Sequence, residues 1–468
     1  MNDTKLRILL VVYDNGAHIS RLPLNVAYLA SAARDAGHDV SVYNQDVYHY
    51  PDAHLTEYLN NNKFDVIGMG ACGGYYQYRK IKSLCQAVIS STNKPFLVGG
   101  GHLVSPDPEF FLRKFGFDAL CIGEGEVTFV DLLDAICTNR QLNEVDGIAF
   151  LDTNGECVTT KSRPLIEDID SISMPAYDLF PMEHHALMRM PNIEHTARLI
   201  PMLSGRGCIF ECNFCYRMDK GWRIRSAENI LEEVEFLMRN YAISHILFDD
   251  ELLMGSVSRT RELCEKFIAS GLSFKWGCNG RLNFATPDLL ELMKKAGCVF
   301  INYGIESVND DALRTMNKNM TVNQIVAGIE ATLAVGISPG FNIIFGNIGE
   351  TAECLKNDVD FLLKYDDHGQ LRTIRPVTPY PGSPLFDYAC QKGLIKDVED
   401  FYENKHTNSD LLTVNFTDMS NDEFYEALFQ ANRALLNSHI EHIKKTYDKL
   451  LTDLYKNLNA DFRGFRHT

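Results

Sequence analysis

The chain has 468 residues, 45% hydrophobic and 23% charged, with a formal net charge of −17. That length exceeds what one core supports and suggests about three domains, and the acidic balance argues against a nucleic-acid polyanion as the main partner. No apolar run reaches the ~18 residues of a membrane span, so none is expected.

The opening stretch MNDTKLRILLVVYDNG is broken too soon for a secretory signal and reads as a first strand. A cytoplasmic protein is expected, with its thirteen cysteines reduced and most of them serving as small buried hydrophobes. Residues 1–145 alternate strand and helix: LRILLVVYD, DVSVYN, DVIGMGA, PFLVGGG and FDALCIG are separated by LPLNVAYLASAARDAG, YYQYRKIKSLCQAVISS and similar runs. Short Val/Ile/Leu-rich segments separated by helices indicate a doubly wound parallel sheet, which binds ligands beyond the carboxyl ends of its strands. At those predicted ends stand Asn15 and Gly16, Cys72 to Gly74, Gly100 to His102, and Gly123 to Glu126. Glycines there let a large ligand approach the backbone, although tight strand-to-helix turns use them too.

Residues 146–196 are polar and interrupted by proline, and read as a linker with room for a short hairpin. A second alternating series fills 197–385, with strands in ARLIPMLS, HILFDD, FKWGCN, VFINYGIES, GFNIIFG and LRTIRPV. Ser226 is placed to cap the helix after the first of them. Six such units fit a partial (βα)6 TIM-like barrel, whose functional groups gather at the C-terminal strand ends. Residues 386–468 read as a helical C-terminal domain.

GRGCIFECNFCYR places Cys208, Cys212 and Cys215 just after the first barrel strand. Three thiolates can hold three corners of a polynuclear cluster, whereas a structural zinc would want a fourth Cys or His, usually in a second pair, and no such pair is evident. A cluster with one iron free of protein ligands leaves a corner for substrate or cosubstrate.

The Cys-x3-Cys-x2-Cys spacing, with Phe214 before the last cysteine, resembles the signature of the radical S-adenosylmethionine (SAM) superfamily. The resemblance implies a [4Fe–4S] cluster on the three cysteines, and SAM contacts from Phe214, Asp249, Asp250, Glu251, Arg281, Glu306 and the glycine Gly346 of GFNIIFGNIGE. PYPGSPL is similar to the family's sixth-strand ending. Relatives often carry a proline before the Gly-Glu pair, where this chain has Ile348, so a looser turn is expected.

The first domain, the linker IDSISMPAYDLF and NFTDMSNDEFYE beyond the barrel resemble the cobalamin-binding class of that superfamily. The class implies cobalamin held by Asn15, Gly16, Cys72, Gly73, Gly74, Gly100, Gly101, His102, Gly123, Glu124, Gly125 and Glu126. The D-x-H-x-x-G cobalt-ligand motif is absent; Asp14-x3-His18 is one residue too long.

The function implied is hydrogen abstraction from an unactivated carbon by a 5′-deoxyadenosyl radical, followed by methylation through methylcobalamin. A cobalamin-dependent cyclisation or rearrangement without methyl transfer has the same layout, and an iron–sulfur sensor is the reading from another class. The expected partners are a small-molecule substrate, with a hydrophobic one suiting an apolar cavity, and a reductant such as flavodoxin or ferredoxin. Tyr380, Phe386, Phe401 and Tyr402 are candidate substrate contacts, and core packing explains them equally well.

Overall fold

The computed structural model describes residues 5–218 and 221–461. Its first sheet is built from β1 (Arg7–Val12), β2 (Asp39–Asn44), β3 (Val66–Gly70), β4 (Phe96–Gly100) and β5 (Ala119–Cys121), parallel and ordered β2-β1-β3-β4-β5. The core of each strand is buried, as a sheet covered by helices on both faces requires. The segment expected to be a linker begins instead by extending this sheet. β6 (Ile148–Leu151) and β7 (Cys157–Thr159) form an antiparallel hairpin, and β6 pairs with β5.

The rest of that segment is packed rather than loose. Ser31 Oγ donates to the Met174 carbonyl and the Ala176 amide to that of Ala27, which straps residues 174–176 along the helix Leu24–Asp35. Further on, Met190 joins Leu199, Val299 and Phe300 in a small separate cluster, where a Cβ on Gly277 would come within 2.8 Å of its sulfur. This apolar stretch was hidden in the sequence because its partners are other strands rather than its own periodicity.

The second sheet has six parallel strands in chain order, β8 (Leu199–Met202), β11 (His245–Phe248), β12 (Lys275–Gly280), β13 (Cys298–Glu306), β14 (Ser338–Phe345) and β15 (Ile374–Pro376). Between β8 and β11 lies a two-residue ladder, β9 (Gly205–Arg206) against β10 (Arg223–Ile224). Ser226 accepts from the Asn229 amide and caps the helix Ala227–Tyr241, as expected; Ser256, Thr351 and Ser383 cap later helices in the same way.

The chain after β15 is divided between the two sheets. Phe386, Ala389, Ile395, Val398, Phe401 and Tyr402 join the core of the first domain, where Tyr402 stacks on Tyr78 at 4.5 Å between ring centroids. The 35-residue helix Asn421–Tyr455 opens with a capping box, Ser420 and Glu423, and packs Phe424 on Phe345 of β14. Among the described residues no helix is long and apolar enough to cross a membrane.

Candidate active site

The carboxyl ends of the two sheets face each other. His102, after β4, stands 6.0 Å from the Tyr216 ring of the cysteine loop. A Cβ on Gly73, after β3, would lie 3.7 Å from Tyr380 beyond β15, and one on Gly382 would meet both Tyr216 and Pro106. Arg21, from the loop after β1, pairs with Asp249 after β11.

Between these ends lies a cavity of about 250 Å³. Its lining includes Cys208, Phe210, Cys212, Phe214 and Cys215 from the loop, Glu251, Arg281, Glu306 and Lys318 from the barrel, and His102 from the first domain. Burial, then the charges of Cys212 and Cys208, push the Cys215 thiol up to about 11, and burial raises Cys212 as well. Two thiols, Cys212 and Cys215, whose ionisation is opposed by burial and by neighbouring thiols suit a polycationic centre that restores the balance. Among the described residues, three thiols with no fourth Cys or His beside them in the cavity lining other than His102 are one donor short of the usual structural zinc set. The donor set fits a cluster larger than one ion.

The polar side chains are fixed by the strand ends. Glu306 has φ of +70° at a register shift between β13 and β14, a left-handed backbone that a non-glycine residue adopts at a cost. Its carboxylate receives Lys318 Nζ at 2.8 Å. Lys318 is buried between Asn317 (φ +54°) and Asn319 (φ +52°), residues whose side chains tolerate that conformation. Its carbonyl accepts from Arg281 Nη2, and the Arg281 guanidinium lies 3.4 Å from the centre of the Phe210 ring. The Met316 carbonyl, in the same loop, accepts from the Asn213 amide at 2.9 Å, tying it to the cysteine loop. Sequence reasoning missed Lys318: the only local signal was the Asn-Lys-Asn run, and its partners lie on other strands.

Adjacent strands also contribute a row of asparagines. Asn342 Nδ2 donates to Asn302 Oδ1 at 3.0 Å, Asn302 Nδ2 to Asn279 Oδ1 at 3.0 Å, and Asn279 Nδ2 to the Asp250 carbonyl at 2.7 Å. All three asparagines line the cavity.

The three acidic residues after β11 have separate places. Glu251 lines the cavity and accepts from the Gly207 amide at 3.1 Å. Asp249 is paired with Arg21. Asp250 is buried, accepts from the Ser204 amide at 2.6 Å, and is pushed up to about 7 chiefly by burial. Gly346 lies under Phe424, where a Cβ would come within 2.7 Å of that ring, and its amide donates to Glu350 at 2.9 Å. Glu350 also receives the Asn347 amide, so this turn is held by a carboxylate even with Ile348 in place of proline.

Among the first-domain residues, Asn15, Gly16, Cys72 and Gly73 are exposed at the tips, and His102 reaches the cavity. Gly101, with φ of +100° and the Ala71 carbonyl oxygen 2.6 Å from where a Cβ would stand, has no room for a side chain. The open, small-residue tips of β1, β3 and β4 fit a broad flat ligand. Other predicted contacts point elsewhere. Gly74 precedes the helix Tyr75–Ile89 and is crowded by Gln77, Gly100 packs by Cys121, and Gly125 packs against Leu29. Gly123 has open space around it. The Glu124 and Glu126 carboxylates are taken by arginines of the second domain. His18 lies exposed in the loop after β1, and Asp14 pairs with His49 rather than with it. Phe386, Phe401 and Tyr402 are core residues, and Tyr380 alone of the four candidate aromatics faces the first-domain tips.

The Radical SAM superfamily model matches residues 202–362, and the B12 binding domain model matches residues 21–133. An uncharacterized methyltransferase of Pyrococcus horikoshii is 29% identical over 402 residues, spanning 83% of this chain and 84% of that protein. The anaerobic magnesium-protoporphyrin IX monomethyl ester cyclase of Rubrivivax gelatinosus is 28% identical, over 81% of this chain and 68% of that one. The solved structure of OxsB, a cobalamin-dependent SAM radical enzyme with aqua-cobalamin and SAM bound, superposes with a TM-score of 0.73 at 18% identity. That match covers 91% of this chain and 66% of OxsB.

Proposed function

This chain belongs to the cobalamin-binding radical SAM family, and from that premise we propose that it methylates an unactivated carbon of a small molecule. Its cofactors are a [4Fe–4S] cluster, SAM and cobalamin. The observation that carries the reading is the single cavity lined by three cysteines of one domain and His102 of the other.

Cys208, Cys212 and Cys215 would hold three irons of the cluster. Bound in this cavity, the cluster and SAM would supply hydrogen-abstracting radical chemistry, and cobalamin would supply the methyl group. The residues of the chain orient and shield. Lys318 and Arg281 place positive charge beside the thiolates and can receive the carboxylate of SAM, a charge-assisted contact in a buried setting. Glu306, held in its strained conformation and partnered by Lys318, offers acceptor oxygens to hydroxyl groups. Glu251 faces the cavity as an acceptor for an ammonium group. Phe210 and Phe214 exclude water from the space where the substrate carbon must meet both cofactors. The first-domain tips of β1, β3 and β4, with Tyr380 opposite, would hold the corrin.

The likeness to a cyclase supports a second reading, in which the same radical chemistry closes a ring and no methyl group moves. A reducing cytoplasm, an electron donor of the flavodoxin or ferredoxin class and a small-molecule substrate belong to both readings. Reconstituted protein given SAM, dithionite and a substrate it consumes decides between them. Methylation predicts one S-adenosylhomocysteine for each 5′-deoxyadenosine, and 5′-deoxyadenosine alone indicates cyclisation. Release of neither, with an intact cluster, would overturn both.

A further inference from the structure

The cysteine loop leaves and rejoins the barrel through the short ladder of β9 and β10, so Arg206 and Arg223 stand opposite each other at its base. Both reach across to one carboxylate on the first domain. Arg206 Nη1 donates to Glu124 Oε1 at 2.8 Å, and Arg223 Nη1 donates to both Glu124 oxygens at 2.9 Å. Glu126 takes Arg206 Nη2 at 2.6 Å, and the Ile166 amide donates to Glu124 at 2.7 Å. The four charged side chains are only 7–15% exposed.

Two positive and two negative charges buried together cancel, but such a group adds little stability over an apolar contact of the same size, because desolvation offsets the attraction. What it adds is geometry. Apolar surfaces slide with little penalty, whereas forked guanidinium–carboxylate contacts hold only at one distance and angle. The group joins the tip of β5 to a loop whose first cysteine lies two residues beyond Arg206.

We infer that Glu124 is a positioning residue, setting the separation between the cysteine loop and the ligand-facing tips of the first sheet by gripping both arginines at the base of that loop. What the separation serves rests on the proposed function; the clamp itself does not.

Two readouts test it on the full-length chain. In reconstituted protein, pulsed EPR reads the distance between the reduced cluster and cob(II)alamin. Glu124→Gln should broaden that distribution, whereas Glu126→Gln, which leaves both arginine contacts to Glu124, should broaden it less. Hydrogen exchange on the chain as purified should show residues 205–224 exchanging roughly tenfold faster in Glu124→Gln, with β12 to β14 unchanged. Wild-type distances and wild-type exchange in a folded Glu124→Gln protein would overturn the inference. Should that variant fail to fold, Arg206→Lys keeps the charge and loses the two-nitrogen grip on Glu124 and Glu126: faster exchange in 205–224 supports the clamp, and unchanged exchange refutes it. Absence of iron or corrin would defeat the functional reading while leaving the exchange result to stand.

Discussion

The two walls of the cavity are both tips of parallel sheets, yet they are furnished in opposite ways. The first wall reaches the cavity through His102 and carries Asn15, Gly16 and Gly73, small residues exposed at the strand tips. The second presents Arg281, Glu306 and Lys318, all largely buried and hydrogen-bonded to one another's side chains or backbone. A large preassembled ligand needs room and backbone contact, whereas a small charged ligand needs donors and acceptors held in fixed places. The same topology serves either need by the choice of tip residues.

Cutting into the thiol triad of the second wall should break the comparison most completely. Cys208→Ala is expected to lose the cluster and all 5′-deoxyadenosine release while retaining cobalt, read by iron and cobalt analysis of one sample; joint loss of both metals would mean the walls are not independent. The next largest effect is on stability. Burial raises the folded-state carboxyl of Asp250 from 3.8 to about 7, so the contribution of this group to folding is greatest below pH ~4 and is lost as the pH climbs to ~7. Asp250→Asn should flatten this window, a difference of no more than about 4 kcal/mol in urea unfolding. Parallel pH profiles for the two proteins would contradict it.

Lys318→Met leaves the buried Glu306 carboxylate without its ammonium partner, and SAM affinity should fall by roughly 1.5–3 kcal/mol, measured as the dissociation constant of the reconstituted protein. Cobalamin retention should stay at the wild-type level. Gly101→Ala sharpens the comparison from the other side. The strained φ and the Ala71 carbonyl cost about 1–3 kcal/mol, read as weaker cobalamin retention with unchanged iron content.

The cysteine triad and the two series of parallel strands were legible because each is written locally, as spacing or as a short apolar run. Lys318, the asparagine row and the Glu124 clamp were not, because each is assembled from residues tens of positions apart. Glu124 is instructive: GEGE reads as a ligand loop by its glycines, and nothing nearby in sequence indicates that Arg206 and Arg223 will occupy its carboxylate. The short hairpin of the linker was legible, but the surfaces that the segment packs on were not, for a related reason. Its hairpin residues Ile148 to Leu151 and its buried Met190 are apolar only in short stretches, and they find their partners on sheets built elsewhere in the chain. The C-terminal segment looked like one helical domain because helical periodicity does not reveal which neighbour a helix will cover. Phe386 and Phe401 cover the first domain, and Phe424 covers the second.

The central claim is that one cavity brings a three-cysteine iron–sulfur cluster and a corrin face to face. Iron, sulfide and cobalt analysis of the anaerobically reconstituted chain, with its visible spectrum, tests this most directly. The account predicts about four iron, about four sulfide and about one cobalt per chain, with Cys208→Ala losing the iron alone. Stoichiometric zinc in place of iron, or no cobalt retained under conditions that fill the cluster, would contradict it.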